Sequence, residues 1–185
     1  MLAAVSVYKA FIYQLSRKKV TTSKPKLSVI IAVKNEEKNI ISLIDSLEKL
    51  NYPNENFEVI IVDDNSSDKT AELINPRISD KNNYIFIKAA NKEIEGKKGA
   101  LSIGIKNAKY NFIVITDADC KQNINWLSAL AGGLDYGYDF VFGIAPILTG
   151  NTLVEKLSAF ENLRNTYLTI AAVGLNLPYS AAARS

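Results

Sequence analysis

The sequence predicts an α/β fold, a mostly parallel central sheet sandwiched by helices, and three observations carry that prediction. Short runs rich in Val, Ile and Phe recur along it: LSVIIAV at 27–33, FEVIIV at 57–62, YIFIK at 84–88 and FIVIT at 112–116. Stretches with helical apolar spacing separate these runs. Apolar residues make up 48% of the 185, enough for one substantial core and too many for a disordered chain. Continuous apolar runs mark strands covered on both faces. Their alternation with helices calls for parallel pairing through right-handed crossovers.

The elements follow in order. After the linker VTTSKPK (20–26), the first strand is 27–33. Asn35 is placed to cap the next helix, with Glu36 and Glu37 in its first turn. Ile40, Leu43, Ile44, Leu47 and Leu50 form that helix's apolar stripe. NYPNEN breaks it before the second strand, 57–62. Ser66, Ser67 or Asp68 is expected to cap a short helix running through Leu73. The third strand is 84–88, and a loop holding EGKKG leads to a helix over about 100–109. The fourth strand is 112–116, followed by a helix at 123–134, a fifth strand at 139–147 and a long helix at 152–172. Leu157, Phe160, Leu163 and Tyr167 of the long helix are read first as core packing, and second as the wall of a groove.

Residues 1–26 form a separate N-terminal segment, and 27–185 the folded domain. MLAAVSVYKAFIYQLS (1–16) runs into Arg17, Lys18 and Lys19. It is shorter than the ~20 apolar residues a spanning helix needs. Three readings stand: the end of a membrane helix with a cytoplasmic basic flank, an interfacial helix, or an amphipathic helix on the protein surface. YSAAARS at the other end stops without a terminating element and suggests a piece of a longer protein.

Composition removes whole classes of chemistry. There is no histidine, which excludes Ser-His-Asp and Cys-His nucleophile systems and the usual zinc sites. Cys120 is the only cysteine, so no internal disulfide forms. A net charge of +3 is too small to argue for a nucleic-acid partner. Any metal must be a hard ion held by oxygen.

In open parallel sheets, ligands bind beyond the carboxyl ends of the strands. Three acidic patches fall there: KNEE (34–37), Asp63 with Asp64, and DAD (117–119). Residues two apart in extended chain point the same way, so Asp117 and Asp119 can share one cation or bridge it to a ligand oxygen. The alternative is a solvated turn. GKKGA (96–100) is the basic counterpart: Lys97 and Lys98 precede a helix start, where free amides favour anions, or simply form a solvated basic loop.

LSVIIAVKNEEKNI, EVIIVDDNSSDKT, GKKGALSIGIKNAK and FIVITDADC, in this order and spacing, resemble the family 2 glycosyltransferases over about 27–145. The resemblance implies a GT-A domain that binds a nucleotide-diphospho-sugar, a UDP- or GDP-sugar, with Mn²⁺ or Mg²⁺. Ala32, Val33, Asn35 and Glu36 are then expected to line the nucleotide pocket. Asp64, with Asp63 as a second candidate, would face the base, and Lys97 or Lys98 the base or diphosphate. Asp117 and Ala118 would lie at the ribose, and Asp119 with Asp117 at the metal. The chain departs from the family where Pro-Ala-Tyr-Asn is common: it has Ala32-Val33-Lys34-Asn35. No acidic pair follows DAD, so the catalytic base is expected beyond Ser185. The resemblance implies inverting transfer to a hydroxyl acceptor, a lipid-linked sugar, polysaccharide or polyprenyl phosphate, at the cytoplasmic face of a membrane or in the cytoplasm. A nucleotidyltransferase making nucleotide sugars, a non-catalytic nucleotide-sugar-binding module and a dinucleotide-binding oxidoreductase are the rivals. The oxidoreductase reading lacks a glycine-rich turn after the first strand.

Overall fold

A computed structural model of the chain describes residues 24–90, 92–135, 138–143 and 151–174. They fall into two compact units, one holding the sheet and one holding the long C-terminal helix. Of the N-terminal segment expected at 1–26, residues 1–23 lie outside the described residues.

The sheet unit contains four parallel strands, β1 (Leu27–Val33), β2 (Phe57–Asp63), β3 (Tyr84–Lys88) and β4 (Phe112–Ile115), in the order β3-β2-β1-β4. The continuous apolar runs are explained by position: β1 and β2 are central, and Leu27, Val29, Ile30, Ile31, Val59, Ile60, Ile61 and Val62 are inaccessible to solvent. Helices α1 (Ile40–Glu48), α2 (Thr70–Ile78) and α4 (Trp126–Asp135) supply Ile40, Leu43, Ile44, Leu47, Ile74, Ile78, Leu127 and Ala131 to the core on one face. Helix α3 (Gly96–Lys106) covers the other, with Ala100 and Ile103 against Ile60, Val62 and Ala32. At Gly104 this helix lies so close that a Cβ would sit 2.4 Å from Ile30 Cγ2, so only glycine fits. The chain thus grows from β1 outward to β3 over one face, and α3 returns it across the other face to β4.

Several expected boundaries move. α1 starts at Ile40, not at Asn35: Asn35 takes a left-handed conformation (φ 57°) and its side chain bonds the neighbouring loop instead of capping. α2 runs through Pro76 to Ile78, beyond Leu73. Ser66 and Ser67 bond Asn35, while Asp68 Oδ1 accepts from Thr70 N at 3.0 Å and so serves the helix start. GKKG is not a loop. It is the first turn of α3, which ends at Lys106. α4 begins at Trp126, after an Asx turn in which Asn125 N donates to Asn123 Oδ1 at 2.9 Å.

The fifth strand does not form over its described part. Residues 139–143 are irregular, and Val141 turns back to fill the space above Gly133 of α4. Positions 144–147 lie outside the described residues. The long helix α5 (Leu153–Gly174) is present, but Leu157, Phe160, Leu163 and Tyr167 are each more than half exposed, so they do not form a core. No helix among the described residues is long and apolar enough to cross a membrane.

Candidate functional site

The strand order creates a crevice. Between β1 and β4 the chain's course reverses, and such a switch point opens a cleft at the carboxyl ends of the strands. Register completes it. Ile115 pairs with Ile30, well before β1 ends at Val33, and Thr116 N still reaches Ile30 O at 3.3 Å. The chain from Asp117 onward therefore emerges beside the end of β1. The resulting cleft, of about 330 Å³, is lined by Ala32, Val33 and Lys34 from β1 and its exit. Glu36, Asp64, Gly96 and Lys97 add to it, and Asp117, Ala118 and Asp119 form its β4 side.

Two polar clasps hold its rim. The loops after β1 and β2 are joined by side chains bonding to backbone. Asn35 N donates to Ser66 Oγ at 2.9 Å, Ser67 N to Asn35 Oδ1 at 2.8 Å and Glu36 N to Thr70 Oγ1 at 2.8 Å. Glu37 N donates to Asp68 Oδ2 at 3.1 Å, and Lys69 N to Glu37 Oε2 at 3.2 Å. NSSDKT is thus a fastening strip that fixes Glu36 and Asp64 relative to each other. The Asp68 carboxyl lies below its usual range: burial opposes this, but hydrogen bonds from the Thr70 hydroxyl and amide and from Glu37 N outweigh it. The DAD loop is pinned at both feet. Gln122 Nε2 donates to the buried Thr116 Oγ1 at 2.6 Å, and Gln122 N to the buried Ser46 Oγ at 3.2 Å. A Cys120 N to Asp117 O bond of 3.3 Å closes the turn between them.

Ion pairs define the floor and one wall. Asp64 is buried and paired with Lys92, whose side chain is equally sequestered at 5% exposure. Asp117 pairs with Lys97 across the cleft. Asp119 is exposed and accepts the weak thiol donor of Cys120 at 3.6 Å.

Of the residues expected from sequence, Ala32, Val33, Glu36, Asp64, Lys97, Asp117, Ala118 and Asp119 are brought together in this cleft. Asn35, Asp63 and Lys98 are not among its lining residues. Asn35 is spent on the clasp. Asp63 is buried, with Oδ1 accepting from Ser66 N at 3.0 Å. Lys98 is exposed on the first turn of α3. Lys34, Gly96 and Lys92 were not assigned from sequence. Position alone signals Lys34, the first residue beyond a central strand. Nothing in ANKEIEG distinguishes Lys92 from a surface lysine.

Glycosyltransferase AglE of Haloferax volcanii is 29% identical over 150 residues, covering 78% of this chain and 48% of AglE. The structure of Staphylococcus aureus TarS 1–349 in complex with UDP-GlcNAc superposes with a TM-score of 0.52 at 32% identity, over 60% of this chain and 31% of that one. The mannosyltransferase PcManGT of Pyrobaculum calidifontis, in complex with GDP-Man and Mn²⁺, shares the fold with a TM-score of 0.55 at 22% identity, over 89% of this chain and 50% of that one. The chain spans from 21% to 48% of the length of such curated relatives. Residues 28–182 match Glycosyl transferase family 2, and the chain belongs to that family.

Proposed function

We propose that this chain carries the donor site of a glycosyltransferase that moves a sugar from a nucleotide-diphospho-sugar to a hydroxyl acceptor, with inversion and with a divalent cation. One observation carries the reading: Asp64, Asp117, Asp119, Lys34 and Lys97 share a single cleft at the switch point of a parallel sheet. That TarS is known in complex with UDP-GlcNAc supports a nucleotide-sugar as the ligand.

The roles follow from chemistry. Ala32 and Val33 give the base an apolar wall, and Asp64 is a fixed acceptor for a base N–H. Glu36 and Asp117 are acceptors for ribose hydroxyls, with Ala118 leaving room for the ring. Lys34 and Lys97 are the cations available to a diphosphate. Asp117 and Asp119 are the residues that would hold Mn²⁺ or Mg²⁺. Among the described residues no group of three or more acidic or cysteine side chains encloses a cation. The carboxylate oxygens of Asp117 and Asp119 are the donor type that suits a hard ion keeping further positions for phosphate oxygens. When bound, that ion supplies Lewis-acid neutralisation of the departing diphosphate. In the inverting reaction the acceptor oxygen bonds to the anomeric carbon as the bond to diphosphate breaks on the opposite face, and a base takes the acceptor proton. None of the four cleft carboxylates is assigned that proton. The apolar N-terminal stretch with its basic flank supports work at the cytoplasmic face of a membrane, on a lipid-linked sugar, a polysaccharide or a polyprenyl phosphate.

A thermal-shift screen of UDP, GDP, UDP-GlcNAc and GDP-mannose, with and without Mn²⁺, tests the reading. A ligand at a hundred times its Kd stabilises by about 2.7 kcal/mol, which is about 5–10 °C for a domain of this size. The expected result is such a shift with one nucleotide series in Mn²⁺, lost in Asp119→Ala. Absence of any shift, or an Asp119→Ala variant that responds like the parent, would refute it.

A further inference from the structure

The two ion pairs of the cleft differ in kind. Lys92 and Asp64 are each only 5% exposed, so their pair is a fixture. Lys97 is 49% and Asp117 24% exposed, so theirs is open to water and easily exchanged. Ion pairs of that exposure hold their partners by about fivefold at most.

The charge lining the cleft favours exchange. Glu36, Asp64, Asp117 and Asp119 face Lys34 and Lys97, and even with Lys92 behind Asp64 the carboxylates remain in excess. A nucleoside diphosphate arriving alone adds negative charge to a negative cleft. A divalent cation arriving alone competes with the Lys97 ammonium for the Asp117 carboxylate. Together, each removes the other's obstacle: the cation satisfies Asp117, and the diphosphate receives the released ammonium. Lys97 is well placed for both ends of that move. It stands on the first turn of α3, an 11-residue helix whose leading amides and dipole also favour an anion at that position.

We infer that Lys97 is a coupling residue, competing with a divalent cation for Asp117 and transferring to the diphosphate when that cation binds. The inference rests on the donor-site reading of the cleft and adds to it a mechanism that makes cation and donor bind as a unit. By linkage, the strengthening is reciprocal.

Titration calorimetry on the chain tests it, using Mn²⁺ alone and then UDP or GDP, whichever the parent binds, with and without saturating Mn²⁺. The key readout is the coupling ratio, the factor by which Mn²⁺ tightens nucleotide binding. In Lys97→Gln that ratio is expected to fall about three- to fivefold, the share contributed by the displaced pair. Mn²⁺ alone is expected to bind this variant more tightly and the nucleotide more weakly. Lys106→Gln, the same charge change at the far end of α3, should match the parent. An unchanged ratio in Lys97→Gln would overturn the inference even if both affinities moved, because through-space charge shifts each affinity without altering their coupling. A parent that binds neither UDP nor GDP would instead refute the donor-site reading itself.

Discussion

Replacing Lys92 by Met removes the ammonium that faces Asp64 and keeps most of the side chain's volume. Both partners are 5% exposed, so water only partly replaces the lost charge. Removing one member of a buried pair costs about 3–5 kcal/mol, because the remaining charge stays desolvated. Asp64 borders the cleft, which lets one carboxylate edge rehydrate and puts the expectation at the lower end of that range. At about 2–4 °C per kcal/mol for this chain length, Tm should fall by about 6–12 °C. The double variant Lys92→Met/Asp64→Asn replaces the charge with a neutral amide and should recover most of the loss. Thermal unfolding followed by circular dichroism reads both. A single variant within about 2 °C of the parent, or a double variant no better than the single, would refute the claim that this pair is buried and interdependent.

Other outcomes follow from the same structure. Gly104→Ala places a methyl 2.4 Å from Cγ2 of the fully buried Ile30, an atom on a stiff β-branched stem. Overpacking of this kind costs about 1–3 kcal/mol, and the better helix propensity of alanine returns about 1 kcal/mol of it. Urea unfolding should therefore show no gain and a net loss of up to about 2 kcal/mol, and a raised midpoint would mean that α3 does not lie this close to β1. Tyr52 donates to Pro25 O at 2.5 Å, and burial, with a smaller contribution from Asp135, pushes its phenol up to about 12. Burial, followed by the charge of Glu48, raises Tyr84 still further. A raised phenol pKa contributes stability that is complete below the ordinary tyrosine value and lost as pH rises through the folded one. Phenolate absorbance should accordingly show at least two tyrosines titrating late, together with alkaline unfolding. A single titration of every tyrosine near pH ~10 would contradict their burial.

The parts of the fold legible in the sequence are those where burial dictates residue type along a whole run. β1 and β2 are covered on both faces, so their Val and Ile runs are uninterrupted and their ends sharp. The ends of β1, β2 and β4 then located the acidic groups at one rim. What the sequence could not show was set by tertiary contacts. Asn35 is a good helix cap by local chemistry, yet bonding to Ser66 and Ser67 of another loop wins, and α1 starts later. GKKG reads as a loop because of its glycines. Gly99, however, is required by packing within a helix, since a Cβ there would lie 1.7 Å from Ile94 O. The division of labour between Asp63 and Asp64 was available in principle. Adjacent residues leaving a strand point to opposite sides, so one of them had to face away from the cleft. Glu58 shows the converse. It is a buried carboxylate in a strand, but at the amino-terminal end of β2, where it accepts from Ser28 Oγ at 2.5 Å and Lys109 N at 2.6 Å. It is a structural tie, and only the three-dimensional arrangement separates it from Asp64.

Backbone amide chemical shifts of the ¹⁵N-labelled chain, recorded with UDP and with GDP in the presence of Mg²⁺, test the central claim most directly. One of the two nucleotides should perturb Ala32 to Glu36, Asp64, Gly96, Lys97 and Asp117 to Asp119, while Lys109 and Tyr110 at the amino-terminal ends of the strands stay still. Perturbations centred on that opposite end or scattered over the surface, or no response to either nucleotide, would contradict a donor site in this cleft.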